Sequence, residues 1–395
     1  MPLNTDSFLG DLTALRQIGA VGKGVVRPAF SDADCEARRW LVDRIEAAGL
    51  TPAVDAAGNV FGLADGQGPL VGSHTDTQPE GGWLDGALGV IAGLEVARAA
   101  REDGGPPVSV VSFQDEEGRF GALTGSEVWT GARTLEEADA QTDSAGVSYC
   151  EARQGLADLA GDDVPVGRFT AFLELHIEQG PVLDAGPARI GVVTGIVGAR
   201  QLQVTFEGQQ NHAGTTPMHM RHDAMVGLAA FIAELDGALA GVVTPNSVWT
   251  VGQADLYPNA PSVIPGRVAF SVQWRDADED RLADMEAAIR ETLARVGAAR
   301  GLRVSASEEW RLSPTPMSGA VTDAIGRAAE SVCPGAWQQM PSGALHDASN
   351  VGRVLPTGMI FVPSIGGISH NFAENTGTDD LVLGLQVLAQ AARLV

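Results

Sequence analysis

The chain has 395 residues, 44% of them hydrophobic and 19% charged, and a formal net charge of -24. That length exceeds what one hydrophobic core usually supports, so two domains are expected. Lys23 is the only lysine and there is no basic run, which argues against a nucleic-acid partner; no phosphate-binding sequence surrounds Lys23, which disfavours a P-loop.

Ser31-Asp32-Ala33-Asp34 opens the first predicted helix, with a hydroxyl cap and acids in its first turn; Trp40, Leu41 and Ile45 give it an apolar face and Gly49 ends it. Leu70–Ser73 reads as a buried strand running into Gly72-Ser73-His74-Thr75-Asp76. After Asp85-Gly86 comes a helix over Leu88–Ala100, then a strand over Val108–Phe113 that runs into Asp115-Glu116-Glu117-Gly118. A further strand, Thr170–Leu175, ends at His176-Ile177-Glu178-Gln179-Gly180. Helices between strands predict an α/β fold, with a mainly parallel sheet and helices on both faces.

The pattern changes after Gly195-Ile196-Val197-Gly198. Gln201–Phe206 alternates polar and apolar residues, as a half-exposed antiparallel strand does. Ala224–Leu239 and Arg281–Ala294 read as amphipathic helices, beside strands at Val248–Val251 and Val268–Trp274. These predict a smaller α+β domain over residues 199–312, ending at Ser313-Pro314-Thr315-Pro316. The strand Met359–Val362 precedes Ser369-His370-Asn371, so the remaining chain is expected to rejoin the first part. The expected catalytic domain is therefore discontinuous, residues 1–198 and 313–395, with 199–312 inserted as a lid and dimerisation domain.

Cys35, Cys150 and Cys333 are few and widely spaced, which predicts free thiols in a reducing compartment. The N-terminus lacks the pattern of a signal peptide, and no uninterrupted apolar segment of ~20 residues occurs. A cytoplasmic protein without a membrane partner is expected.

Each chemical group has an ordinary explanation when taken singly. A histidine after a strand is more often a hydrogen-bonding core residue, paired glutamates a solvated turn, and Asp-Gly a turn. Their recurrence at strand ends, in glycine-rich loops, points elsewhere. Strand C-termini of an open α/β sheet converge on one crevice, where His74, Asp85, an acid of the Glu116-Glu117 pair, His176 and His370 would suit two divalent metals. Side chains alternate along an extended chain, so one of Glu116 and Glu117 can bind metal while its neighbour points at the metal-bound water. Asp76 is expected to hold the far ring nitrogen of His74.

These motifs, with Gly81–Val90, Asn211–Met218, Val263-Ile264-Pro265-Gly266 and Ser342–Ala348, resemble the amidohydrolase branch of the dinuclear-zinc aminoacylase and carboxypeptidase superfamily. That branch includes N-carbamoyl-L-amino-acid hydrolases, allantoate amidohydrolases and β-ureidopropionases. The resemblance spans nearly the whole chain; His176 and the Gln179-Gly180 pair separate it from the peptidases. It implies that Asp85 bridges two ions, with Glu117 and His370 completing one site and His74 and His176 the other. Zinc leads as the metal, with manganese, cobalt or nickel as alternatives. It also implies Glu116 as general base, and His212 as an oxyanion donor acting across a homodimer interface. Arg275 would grip a substrate carboxylate, with Gln179, Gly343 and His346 nearby. His346 is expected to shape its loop rather than bind metal.

Several positions depart from the family pattern. Ser262 stands where the family carries asparagine, leaving Asn259 as a possible substitute contact. Gln273 replaces an acid, Trp274 adds bulk beside Arg275, and Leu345 replaces a glycine in the Ser342–Asp347 loop. The resulting expectation is hydrolysis of a linear C–N amide bond in a small carboxylate-bearing substrate, an N-carbamoyl amino acid or allantoate-like ureide. The alternatives are an N-acyl amino acid hydrolase or dipeptidase with the same machinery and, further off, a non-catalytic metal-bearing binding protein.

Overall fold

Apolar runs rich in Val, Leu, Ile and Phe become the strands of one mixed sheet, because their side chains are buried on both faces. The computed structural model describes residues 2–395. The chain divides into two compact units, the first running to Thr194 and resuming over Pro316–Val395, the second comprising Gly195–Thr315.

In the first unit the strands are β1 (Thr51–Val54), β2 (Val60–Leu63), β3 (Gly68–His74), β4 (Ser109–Phe113), β5 (Phe169–Ile177) and β6 (Ile190–Ile196). The second unit carries β7 (Gly198–Glu207), β8 (Val248–Thr250), β9 (Ala254–Tyr257), β10 (Arg267–Asp276) and β11 (Arg303–Leu312); β12 (Trp337–Ser342) and β13 (Thr357–Val362) return to the first. The first sheet runs in the order β6-β13-β5-β3-β4-β2-β1, with β12 on β6. Its centre is parallel: β13 on β5, β5 on β3, and β3 on β4. Both flanks are antiparallel, β6 on β13 and β1-β2-β4. The expected parallel arrangement forms the centre of a mixed sheet, and on the β1-β2 flank short connections at residues 55–59 and 64–67 reverse the chain without a crossover helix.

The long helices of this unit are α1 (Thr5–Gln17), α2 (Asp32–Ala47), α3 (Ala87–Glu102), then, beyond the second unit's α4 (Ala224–Leu239) and α5 (Glu279–Arg300), α6 (Gly319–Val332) and α7 (Thr378–Ala391). Ser31 caps α2 by accepting from the Asp34 amide, as its sequence predicts. Residues from all five helices share one core with Val71, Val110, Leu173 and Ile360. The alternate strand residues Phe113 and Phe172 pack together with ring centroids 6.0 Å apart, and Trp129, on the short helix Thr124–Thr130, lies 5.6 Å from Phe113.

The second unit is an antiparallel sheet: β8 and β9 pair with β10, β10 with β7, and β7 with β11. α4 and α5 supply the rest of its core. Trp274, read from sequence as bulk beside Arg275, is instead buried in that core and donates its indole N–H to the Leu282 carbonyl, 3.0 Å away. Successive strand residues face opposite ways, so Arg275 and Trp274 occupy different faces of β10. Trp274→Ala is expected to cost ~3–5 kcal/mol, read by denaturant unfolding.

Candidate metal centre and active site

Parallel strands end on the same edge of the sheet, and that edge carries the candidate site. His74 is the last residue of β3, Glu116 and Glu117 follow β4, His176 is the penultimate residue of β5, and His370 lies in the loop after β13. Asp85 enters from the loop between β3 and α3. Gly86 turns that loop with φ 63°, and a Cβ there would run into the His74 ring. Glycine is what lets Asp85 approach His74.

Two triads result, and they share one residue. His74, Asp85 and His176 offer ligand atoms within 4.8 Å of one another, and so do Asp85, Glu117 and His370. Asp85 Oδ1 lies 3.6 Å from His74 Nε2 and 3.1 Å from His176 Nε2, while Oδ2 lies 3.3 Å from His370 Nε2. One carboxylate therefore turns an oxygen to each triad.

The ring tautomers bear on what fits there. His74 Nδ1 is 3.0 Å from the Asp76 carbonyl, and His176 Nδ1 is 2.8 Å from the Ile177 carbonyl. Carbonyls only accept, so each Nδ1 carries a proton and each ring turns its Nε2 towards Asp85. The Gly86 amide also donates to His176 Nε2, at 3.2 Å. Each Nε2 can donate to Asp85 when protonated, or give its lone pair to a cation held beside that carboxylate. The donor set of imidazoles and carboxylates suits zinc or a similar first-row ion.

Charge in the pocket leads the same way. Burial raises Glu116 well above the usual carboxylate range; Glu117, Asp347 and Asp85 add to the shift and His74 opposes it. Glu117 is pushed up to about 7, by burial and then by the Asp85 charge. Asp85 is held well below its ordinary value despite burial, by bonds from His176, His370 and His74. His370 rises to about 9, chiefly through its bond to Asp85. Such an excess of buried acid over base is relieved by divalent cations. Glu116 Oε2 is 3.6 Å from His74 Nε2, outside both triads.

Asp76 acts differently from its expected role. Its main-chain carbonyl, not its side chain, holds the His74 ring; the carboxylate sits 3.7 Å from Nδ1 and accepts instead from the Glu116 and Glu117 amides, at 3.4 and 3.1 Å. The side chain is fixed by the loop that carries the two glutamates. Gln179 Nε2 donates to Asp85 Oδ2 at 2.9 Å and lies 3.3 Å from His370 Nε2. Glu178, by contrast, turns away to accept from the Val182 and Leu183 amides.

His346 is buried, 4.5 Å from His176 between ring centroids, and burial followed by the His176 charge pushes its pKa well down. The Ser342 hydroxyl donates to the Ala344 carbonyl, so at 2.9 Å it accepts from His346 Nε2, and His346 shapes this loop. Space is open where a Cβ on Gly343 would lie, and Leu345 is exposed. Glu174, His176 and His346 form another close group, but the Glu174 oxygens already accept from Ser73 Oγ and the Ala348 amide.

His212, Asn259, Ser262 and Arg275 belong to the second unit. His212 is exposed, and its Nδ1 accepts from the Gly214 and Thr215 amides at 3.0 and 3.2 Å. In the neutral ring this forces the proton onto Nε2, leaving an N–H donor on the outward side. Asn259 holds a left-handed φ of 56°. The Ser262 carbonyl accepts from the Ala213 amide, beside His212. Arg275 Nε donates to Gln273 Oε1 at 3.2 Å, so the glutamine standing in place of an acid contacts the guanidinium.

Three polar residues of the site had no role assigned from sequence. Gln78 binds both carboxylate oxygens of Glu117, Glu174 ties β5 to β3 and to Ala348, and Glu374 reaches the Asp85 loop. An acid inside the apolar run of β5 was a legible signal for Glu174; nothing local marks the other two.

A mixed α/β unit with imidazoles and carboxylates gathered at the ends of parallel strands defines a metal-dependent hydrolase. The chain belongs to Peptidase family M20/M25/M40, whose model matches residues 70–394. It is 36% identical over 400 residues to an N-carbamoyl-L-amino-acid amidohydrolase of Rhizobium meliloti, covering 98% of this chain and 96% of that one. An allantoate amidohydrolase of Bacillus subtilis is 34% identical over 390 residues, covering 95% and 93%. Among solved structures, an amidase of the hydantoinase/carbamoylase family from Burkholderia phymatum has 42% identity and a TM-score of 0.93, covering 99% of this chain and 97% of that one. Among the described residues, no helix is long and apolar enough to cross a membrane.

Proposed function

We propose that this protein hydrolyses a linear C–N amide bond in an N-carbamoyl amino acid or an allantoate-like ureide. The observation that carries this reading is the Asp85 carboxylate shared by two ligand triads. The amidohydrolases named above, similar over almost their whole length, supply the substrate class. His74, Asp85 and His176 would hold one divalent ion, and Asp85, Glu117 and His370 the other; zinc leads, with manganese, cobalt or nickel as alternatives. Such ions supply Lewis acidity, lowering the pKa of water and polarising the carbonyl.

Glu116 stands beside His74 without belonging to either triad, free to accept the proton of the attacking water on a carboxylate oxygen and return it to the leaving nitrogen. A carbamoyl group would leave as ammonia and carbon dioxide. Arg275 offers a planar fork for the substrate carboxylate, with Gln179, Gly343, His346, Asn259 and Ser262 completing recognition. His212 offers its Nε2–H to the developing oxyanion. Assembly as a homodimer, with His212 acting across the interface, and a cytoplasmic location belong to the same reading; the unpaired Cys35, Cys150 and Cys333 suit a reducing compartment.

The test is ammonia release from a panel of N-carbamoyl amino acids and allantoate, with each metal supplied in turn. Release is expected from at least one member. Hydrolysis of N-acyl amino acids or dipeptides without any ammonia release would replace this reading with the alternative chemistry. His212→Ala is expected to lower kcat by ~10²–10³ while metal content stays unchanged, the loss typical of one oxyanion donor.

A further inference from the structure

Glu374 lies in the loop after β13, far in sequence from Asp85, yet its buried carboxylate reaches into the Asp85 loop. Oε1 accepts from the main-chain amides of Leu84 and Asp85, at 3.0 and 3.1 Å. Oε2 accepts from Ser369 Oγ at 2.9 Å, and that hydroxyl also lies 3.4 Å from Asp85 Oδ2. A Cβ on Gly82 would overlap the Glu374 carboxylate, so the loop before Asp85 is shaped to admit it. The same side chain therefore fixes the backbone on which Asp85 stands and the residue next to His370. The Glu374 amide in turn donates to the Asn371 carbonyl at 3.0 Å, closing a turn directly after His370, whose own φ is 50°.

We propose that Glu374, acting through Ser369, is a positioning residue that sets the shared carboxylate of Asp85 and the imidazole of His370 against each other, and so governs binding of the metal held by Asp85, Glu117 and His370. The inference rests on the two-metal reading above. His370 is the half-exposed ligand of that triad, so it depends most on what fixes its loop. His74 and His176 are anchored independently, by β3, β5 and their bonds to backbone carbonyls. Glu374→Gln keeps one carbonyl oxygen for the two amides and turns an N–H to Ser369 Oγ, so it preserves the clamp. Glu374→Ala removes it. Ser369→Ala keeps the Glu374 bonds to the Leu84 and Asp85 amides and removes the hydroxyl's contacts to Glu374, Asp85 and Gln179.

The experiment titrates zinc or cobalt into the metal-free full chain and counts equivalents by elemental analysis and calorimetry, with the melting temperature of each metal-free variant measured alongside. Glu374→Ala and Ser369→Ala are expected to weaken the second equivalent by ~10–100-fold, the range typical of groups that orient metal ligands. Glu374→Gln is expected to restore it to within ~3-fold of the wild type, on the same ligand-orientation argument. If Glu374→Ala does not fold, Ser369→Ala and Glu374→Gln still decide the matter. Two tight equivalents in Ser369→Ala, or loss of the second in Glu374→Gln, overturn the inference. Fewer than two equivalents in the wild type overturn the two-metal reading instead.

Discussion

Glu116→Gln is expected to reduce kcat by ~10²–10⁴ while metal content remains that of the wild type, because the amide keeps the shape but cannot accept or return a proton. The geometry separates this residue from its neighbour. Glu117 lies in a triad with Asp85 and His370, whereas Glu116 stands outside both triads, 3.6 Å from His74. Asp76 holds both main-chain amides, so the substitution leaves the loop anchored. Burial and the nearby acids raise the proton affinity of Glu116, so removing its charge is not expected to lower the melting temperature. Kinetics, elemental analysis and a melting curve on one preparation read all three expectations. A variant that keeps its rate removes Glu116 as the base.

Asp85→Ala is the substitution with the broadest effect, because it takes a ligand from both triads at once. Metal uptake is expected to fall for both equivalents, and activity by roughly 10³-fold or more, since the several kcal/mol supplied by Lewis-acid stabilisation go with the ions. His370→Ala should affect only the triad it belongs to. The metal-free protein is expected to stay folded, because the core built from α1, α2, α3, α6 and α7 does not depend on the site. Metal titration by calorimetry, with circular dichroism before and after chelation, checks both parts. Equal loss of metal in the two variants would argue against a shared bridge.

The sequence carried much of this arrangement, and its failures have physical causes. α4 was legible to the residue, Ala224–Leu239, because its apolar positions recur at helical spacing; in the structure Asp223 caps it. The buried runs ending at His74, His176 and Phe113 were legible as strands, and their shared direction brings the five candidate ligands to one edge. The antiparallel flanks were not, since an apolar run such as Val60–Leu63 does not encode the direction of its partner. α1, α6 and α7 also went unassigned, although their buried residues belong to the main core. Trp274 was misread because nothing in the sequence says which face of β10 meets the core. Glu374 and Gln78 bind their partners through contacts between distant segments, which no local pattern contains.

The most direct test is anomalous diffraction from crystals of the protein loaded with zinc. Two peaks should flank Asp85, one touching His74 and His176 and the other Glu117 and His370. A lone peak within Glu174, His176 and His346, or none near Asp85, would contradict the account.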